Sequence, residues 1–391
     1  MFMPTDLSEF ESRPEKVMRS SIEVGADGGE FTTGELTRPI QLASDWNAVL
    51  EGFGLDPDEF YVVDDTVRMS KWQQSKRTES GDRDVVWLYS YKARFARCSP
   101  QATEADVEQL RAKIDKWRPK TTKTVGTGEP CTFVINWADW QIGKSENGGV
   151  EATVDRVQKS IEDCLTRIKE LRKAGRNIEK VAIFNMGDPS EGCSGNYSAQ
   201  TFTVQLNMRA QLNLVLDLWT QGLASIQPDI FASVLCNHGE WTRNGGSKPI
   251  TSDSDNVGGY LGDTLQRIFG DDGPSEWHVA HDEMVQAITL SGVRVAITHG
   301  HKISGKEFEW LRGQAQRLQY EDGVMPRLWI TAHRHHLSIE DFGAFWRFQC
   351  PSLDGGSKWF SDMTGKWSTH GTLTMLVGNH DLRGWSDVAV L

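Results

Sequence analysis

The chain has 391 residues, 38% of them hydrophobic and 25% charged, with a formal net charge of −12. That size allows a substantial core and two domains, while the acidic balance argues against a broad sequence-independent grip on DNA, which needs clustered Lys and Arg. No apolar run approaches the length of a membrane span, the acidic start "MFMPTDLSEFESRPEK" does not read as a signal peptide, and the six cysteines lack CxxC spacing, so a cytoplasmic protein with buried thiols and no membrane partner is expected.

Residues 1–40 are polar and rich in Gly, Glu and Thr, and are expected to be a disordered or extended tail. A small α+β N-terminal domain is predicted over 41–118. It begins with a helix at "DWNAVLEGFG", followed by strands at "DTVRMSKW" and "DVVWLYSYKARFAR" around the charged loop "QQSKRTESGDR". In the second strand Trp87, Tyr89, Tyr91 and Phe95 share one face at period two, while Lys92 and Arg94 share the other. Residues 66–97 hold eight Lys/Arg against three Asp/Glu. Basic side chains among aromatics suit nucleic acid; an aromatic core face with a solvated basic back fits the same pattern.

A helix over 103–117 closes this domain, and the Pro/Gly/Thr-rich segment 119–130 is the expected linker. From 131 to 391 strands and helices alternate. Strands are predicted at 132–137, 180–186 and 230–236, with helices near 150–174, 203–225 and 256–269. Short strands follow near 277–281, 285–290 and 293–298, then a helix at 306–319 and strands at 327–332, 337–341, 344–349 and 372–377. Early βα units followed mostly by strands predict an α/β domain with two packed sheets flanked by helices.

Ligand-type residues recur just after these strands. "FVINWAD" delivers Asp139 and then Gln141; "VAIFNMGD" delivers Asp188; "FASVLCNH" delivers Asn237 and His238. "VRVAITHGH" delivers His299 and His301, and "LWITAHRHH" delivers His333, His335 and His336. Strand carboxyl ends are where α/β sheets bind ligands. Carboxylate, amide oxygen and imidazole together suit Mn, Fe or Zn better than Ca or Mg alone, and so many donors point to two ions. All ten histidines lie at or after position 238.

In this order the motifs resemble the calcineurin-like metallophosphoesterase superfamily, whose pattern runs DxH, GD, GNH(D/E), H, GHxH. The resemblance covers about residues 130–350. It implies a two-sheet metallophosphoesterase sandwich and a binuclear centre of divalent ions, Mn first, with Fe, Zn or Mg as alternatives. It further implies one ion held by Asp139, Gln141, Asp188 and His335 and the other by Asp188, Asn237, His299 and His333. His238 would protonate or stabilise the leaving oxygen. The chain departs from the pattern at Gln141, where the family has His, and at "CNHGE" and "AHRH". An amide oxygen is a weaker, harder ligand than imidazole, so the first site is expected to bind weakly or favour Mn.

Three further stretches imitate known motifs. "ADWQIGKS" fits a permissive phosphate-loop pattern, but Asp139, Trp140 and Ile142 would crowd the phosphates and "ENGG" stands where a helix should run; it reads as a metal-ligand turn. "GHKISGKE" lacks the Ser or Thr, and "VGNHD" at 377–381 comes too late in the order and reads as a turn. The resemblance implies phosphoester hydrolysis and leaves the substrate open. A DNA phosphodiesterase similar to the SbcD-type nucleases is expected first, with Lys92, Arg94, Arg243, Lys248 and Arg334 as substrate contacts. The chain also looks like uncharacterised phage-encoded phosphoesterases. A small-molecule phosphatase or cyclic-nucleotide phosphodiesterase is the alternative, and a binding module weakened by Gln141 a further one. In "PSLDGGSKWFSDMTGKWSTH", Lys358 or Trp359 could touch substrate, or the segment could be a packed loop.

Overall fold

The structure is a computed structural model. It describes residues 19–25, 28–41, 43–77, 83–98, 103–118, 128–193, 195–196, 200–241, 252–303, 305–356, 361, 365 and 367–391. The chain forms two compact units, Met1–Ser99 and Pro100–Leu391.

The first unit contains β1 (Ser21–Gly25), β2 (Gly28–Thr32), α1 (Ala43–Gly52), β3 (Phe60–Val62), β4 (Arg68–Arg77) and β5 (Arg83–Arg97). The sheet runs β1-β2-β5-β3, with β4 also paired to β5. Tyr91, Ala93 and Phe95 are buried along β5 and Lys92 and Arg94 exposed, as the period-two pattern requires. Phe31, Leu50, Leu55, Phe60 and Val62 complete this core. Among the described residues β5 pairs toward its start only with β4, and there Val85, Val86 and Trp87 stand exposed. Two expectations are corrected. Residues 21–32 are a hairpin rather than a tail: β2 pairs with β5 from Gly28↔Ala96 to Thr32↔Lys92, and Phe31 is 1% exposed. A Cβ on Gly29 would lie 1.9 Å from the Glu23 carbonyl oxygen and 2.8 Å from the Phe95 ring, so the glycines that look like disorder permit close strand approach. The charged loop is also shorter than expected, because β4 continues to Arg77.

The second unit opens with α2 (Glu104–Lys116), capped by a reciprocal Thr103–Asp106 box. The sequence placed this helix in the N-terminal domain, but Leu110 and Ile114 pack into the core of the second unit. Then come β6 (Pro130–Trp137), α3 (Gly149–Lys173), β7 (Asn177–Asn185), α4 (Met208–Ile226), β8 (Ile230–Ser233), α5 (Val257–Phe269) and β9 (Glu276–Val279). The remainder is β10 (Gln286–Leu290), β11 (Val293–Ile297), α6 (Glu307–Asp322), β12 (Leu328–Thr331), β13 (Ser338–Asp341), β14 (Trp346–Gln349), β15 (Leu373–Val377) and β16 (Trp385–Val390). Arg111 of α2 pairs with Asp217 of α4 at 2.8 Å.

Two sheets form, a six-stranded β16-β15-β6-β7-β8-β9 and a five-stranded β10-β11-β12-β14-β13. Strands β6 to β9 are parallel, as are β11, β12 and β14. Alternate residues of β6 serve different layers. Phe133, Ile135 and Trp137 face Val157 and Ile161 of α3 and Leu214 and Leu218 of α4. Val134 joins Phe184, Val295, Ile330 and Phe348 between the sheets. On the far side Leu311, Ala315 and Leu318 of α6 cover Ala296 and Trp329. The order helices, sheet, sheet, helix is the two-sheet α/β sandwich expected. Strands buried on both faces explain the nearly continuous apolar runs. No helix among the described residues is long and apolar enough to cross a membrane.

Candidate metal centre

The parallel strands bring their carboxyl ends to one edge of each sheet, and the residues just beyond them meet. Asp139 follows β6, Asp188 follows β7, Asn237 and His238 follow β8, His299 follows β11, and His333 and His335 follow β12. Asp139, Gln141, Asp188, His333 and His335 all have left-handed backbones, with φ of 50°, 44°, 48°, 74° and 56°. Non-glycine residues rarely adopt such angles, and those that do concentrate where function outweighs backbone ease. Gly187 has φ 100°, and a Cβ there would lie 2.5 Å from His299 Nδ1, so the glycine of "MGD" lets the histidine approach.

Hydrogen bonds lace the turns together. Asp139 N–H donates to the Gly187 carbonyl at 3.0 Å, and Gln141 N–H to that of Asp188 at 2.9 Å. His333 N–H donates to Asp139 Oδ2 at 3.1 Å, and His238 N–H to Asp188 Oδ1 at 3.0 Å. The remaining oxygens, Asp139 Oδ1 and Asp188 Oδ2, are sealed from solvent without a well-directed hydrogen bond. They face His335 Nε2 at 3.3 Å and His299 Nε2 at 2.9 Å.

His299 shows what the arrangement lacks. Its Nδ1 lies 2.8 Å from the Met186 carbonyl, which can only accept, so Nδ1 carries a proton. Neutral, the ring then turns the Nε2 lone pair toward Asp188 Oδ2 at 2.9 Å and Asn237 Oδ1 at 3.0 Å. Asp188 Oδ2 and His299 Nε2 are then two acceptors face to face, which require a cation or a second proton. Without a cation the proton is favoured: burial pulls His299 down, but the Asp188 carboxylate outweighs it and the pKa is raised. Asp188 responds in kind. Burial would raise its carboxyl, but His299 and His238 hold it well below the usual range. Ligand atoms of Asp188, His299 and His333 lie within 4.8 Å of one another. Burial, followed by the charge of His299, lowers His333 to about 4, leaving a neutral imidazole at pH 7. Buried oxygens without hydrogen bonds and an imidazole fixed by its second nitrogen are the donor set a divalent metal takes.

Two residues of this centre were missed in the sequence. Asp354, fully buried after β14, takes Lys144 Nζ at 2.6 Å and His335 Nδ1 at 3.3 Å. It also accepts from Ser352 Oγ at 2.7 Å and Gly356 N–H at 2.8 Å. Burial would raise Asp354, but His335 and Lys144 hold it well below the usual range. Burial would lower His335, but Asp139 and Asp354 lift it well above its ordinary value. The signal was present: Asp354 of "PSLDGG" follows a parallel strand as the other ligands do. Lys144 belongs to the false phosphate loop, and its buried ammonium is satisfied by protein, not phosphate.

The other candidates lie around this centre or apart from it. The rings of His301 and His299 lie 5.4 Å apart, and His336 is half-buried with Nδ1 2.8 Å from the Arg334 carbonyl. Arg334 pairs with Glu307 at 3.0 Å. In the first unit Lys92 pairs with Glu30 at 2.5 Å and Arg94 is exposed. Arg243, Lys248, Lys358 and Trp359 lie outside the described residues. Asn379 and His380 of "VGNHD" sit between β15 and β16, where His380 Nε2 meets Ser386 Oγ at 2.7 Å; that stretch is a turn.

Among solved structures, the chain is similar to wild-type Vps29 complexed with zinc from Entamoeba histolytica. The identity is 11%, over 62% of this chain and 84% of that one, with a TM-score of 0.28. It is also similar to a novel archaeal phosphodiesterase (10%, 66% and 99%, TM-score 0.29). A predicted phosphoesterase from Streptococcus pneumoniae is a third (12%, 63% and 82%, TM-score 0.26). No family model and no curated protein matches. At such scores the likenesses carry no argument, and the function is inferred from this chain's own residues.

Proposed function

We infer that this chain, which resembles the calcineurin-like metallophosphoesterases in fold and in the order of its site motifs, is a metal-dependent phosphoester hydrolase. The observation that carries this reading is the meeting of Asp188 Oδ2, Asn237 Oδ1 and His299 Nε2, acceptors held around a place for a cation. Asp139, Asp188 and His335 would hold one divalent ion and Asp188, Asn237, His299 and His333 the other, with manganese the first choice. When bound, the metal supplies Lewis-acid polarisation of a phosphoryl group and activation of water. The chain's own residues do the rest. Met186 and Asp354 orient the two imidazoles through their Nδ1 atoms. His238, anchored through Nδ1 on the Glu191 carbonyl at 2.7 Å, would exchange a proton with an ester oxygen at Nε2.

A nucleic-acid diester is the substrate favoured by the first unit. Trp87 is exposed with Lys71 Nζ 4.1 Å from its ring centroid, and Lys92 and Arg94 stand exposed on the opposite face of the same strand. Aromatic and cationic groups together suit bases and phosphates. Arg243, Lys248 and Arg334 would add contacts at the site. The second reading is a small phosphoester, either a monoester or a cyclic nucleotide. It is favoured by the net charge of −12 and by the pairing of Lys92 with Glu30 and Arg334 with Glu307. Purified protein with Mn²⁺, offered bis-p-nitrophenyl phosphate, p-nitrophenyl phosphate, a cyclic nucleotide and single- and double-stranded DNA, separates them. DNA cleavage supports the first, and turnover of small esters alone replaces it with the second. Metal binding with no turnover leaves only a binding module.

A further inference from the structure

We propose that Gln141, at the position where a histidine ligand would be expected, is not a metal ligand but the positioning residue of His238, held in that role by Lys144. The inference rests on the phosphoesterase reading for the use of His238, but its geometry stands independently.

Lys144 Nζ is buried and can only donate. Its neighbours are Asp354 Oδ2 at 2.6 Å, the Gly356 carbonyl at 3.2 Å, Gln141 Oε1 at 3.4 Å and Glu146 Oε2 at 3.5 Å. A glutamine amide fits either way round by shape, so its orientation is decided by its partners. Reversed, it would set an NH₂ group against an ammonium, donor against donor. Lys144 therefore keeps the oxygen, and the NH₂ group is turned to His238, with Nε2 to Nε2 at 3.4 Å. That contact is a hydrogen bond only if His238 Nε2 is the acceptor. On the other edge of the ring, Nδ1 lies 2.7 Å from the Glu191 carbonyl, which requires Nδ1 to be the donor. Two independent partners thus dictate the same tautomer, proton on Nδ1 and lone pair on Nε2.

The backbone serves the same end. Gln141, at φ 44°, and Lys144 are closed into one turn by Lys144 N–H donating to the Gln141 carbonyl at 3.1 Å. The false phosphate loop is thereby explained: its lysine serves a glutamine. With its oxygen beside the Lys144 ammonium and its nitrogen on an imidazole, Gln141 could take a metal only by setting a second cation next to that buried charge. His238 then enters the reaction as a proton acceptor at Nε2 and can donate only after it has taken a proton up.

Two measurements on the full chain test this. In metal-free protein labelled with ¹⁵N-histidine, His238 should show a protonated Nδ1 and a bare Nε2. Gln141→Glu keeps the bond from Lys144 but offers His238 no N–H, and should convert Nε2 to its protonated signature. Lys144→Met frees the amide to turn, and both states of Nε2 should appear. A bare Nδ1 in the unmutated protein, or a His238 spectrum unchanged by either substitution, overturns the proposal. The second measurement is Mn²⁺ titration calorimetry with elemental analysis. Gln141→Ala should keep the unmutated stoichiometry; loss of a bound Mn²⁺ at saturating metal would make Gln141 a ligand and overturn the assignment. If the unmutated chain binds no Mn²⁺, the metal reading fails, while the nitrogen spectra still decide the role of Gln141.

Discussion

Asp354→Asn tests whether the buried pairs behind the metal ligands do the work assigned to them. The substitution keeps the shape of the side chain and removes its charge. Asp354 is fully buried and takes Lys144 at 2.6 Å and His335 at 3.3 Å, and the Lys144 side chain is only 8% exposed. Removing one partner of a buried ion pair costs about 3–5 kcal/mol, because the remaining charge is stranded. The asparagine retains one oxygen for Lys144, so the lower end, about 3 kcal/mol, is expected. For a domain of this size that corresponds to a fall in Tm of roughly 5 °C. The pH dependence has a definite sign. A carboxyl held below its usual value contributes fully above its unfolded pKa, and that contribution is lost as pH falls through the lower folded value. The loss on substitution should therefore be present at neutral pH and shrink only in acid. Thermal unfolding in chelator, followed by circular dichroism, reads the stability. Mn²⁺ affinity should also fall by about 10–100-fold, since His335 loses the group that orients it. A variant that melts with the unmutated protein at pH 7 and binds Mn²⁺ equally well would refute this account of the Asp354–Lys144–His335 network.

Three other outcomes are expected. His238→Ala should retain its metal while losing rate by about 10²–10⁴-fold, the usual contribution of a positioned proton-transfer group; metal loss in parallel would make His238 a ligand. His380→Ala should leave hydrolysis and metal content unchanged, and a loss of activity would give the later "GNHD" a role that its place in a turn denies it. Lys92→Ala with Arg94→Ala should weaken DNA binding and flatten its salt dependence by about 0.9 in log–log slope for each lost duplex contact, leaving small diesters untouched. An unchanged slope in a folded variant would make these residues a solvated strand face.

What was legible in the sequence was whatever local rules govern. The apolar runs of β6, β7, β11 and β12 are buried on both faces, so composition alone marks them, and the first residues beyond them are the ones that meet. The hairpin over 21–32 was not legible, because its glycines lower propensity locally and are justified only by how closely β2 must approach Glu23 and Phe95. Nor was the allegiance of α2: Leu110 and Ile114 give it an apolar stripe, but only tertiary packing shows which core receives it. Asp354 and Lys144 lie 210 positions apart, and their pairing is a product of the fold that no spacing announces. The same is true of Gln141. Its place in the motif suggests a ligand, while the donors and acceptors around its amide give it another task.

The central claim is that the acceptors gathered around Asp188 hold a metal used to cleave phosphoesters. The most direct measurement takes chelator-stripped protein and its Asp188→Asn variant, titrates each with Mn²⁺, and follows bound metal and hydrolysis of bis-p-nitrophenyl phosphate together. The unmutated chain should gain activity in step with metal and lose it to chelator, while the variant, deprived of the carboxylate assigned to both ions, should bind metal far more weakly and remain inactive. Hydrolysis that persists in chelator, or an Asp188→Asn variant that binds metal and turns over as the unmutated chain does, would contradict the account.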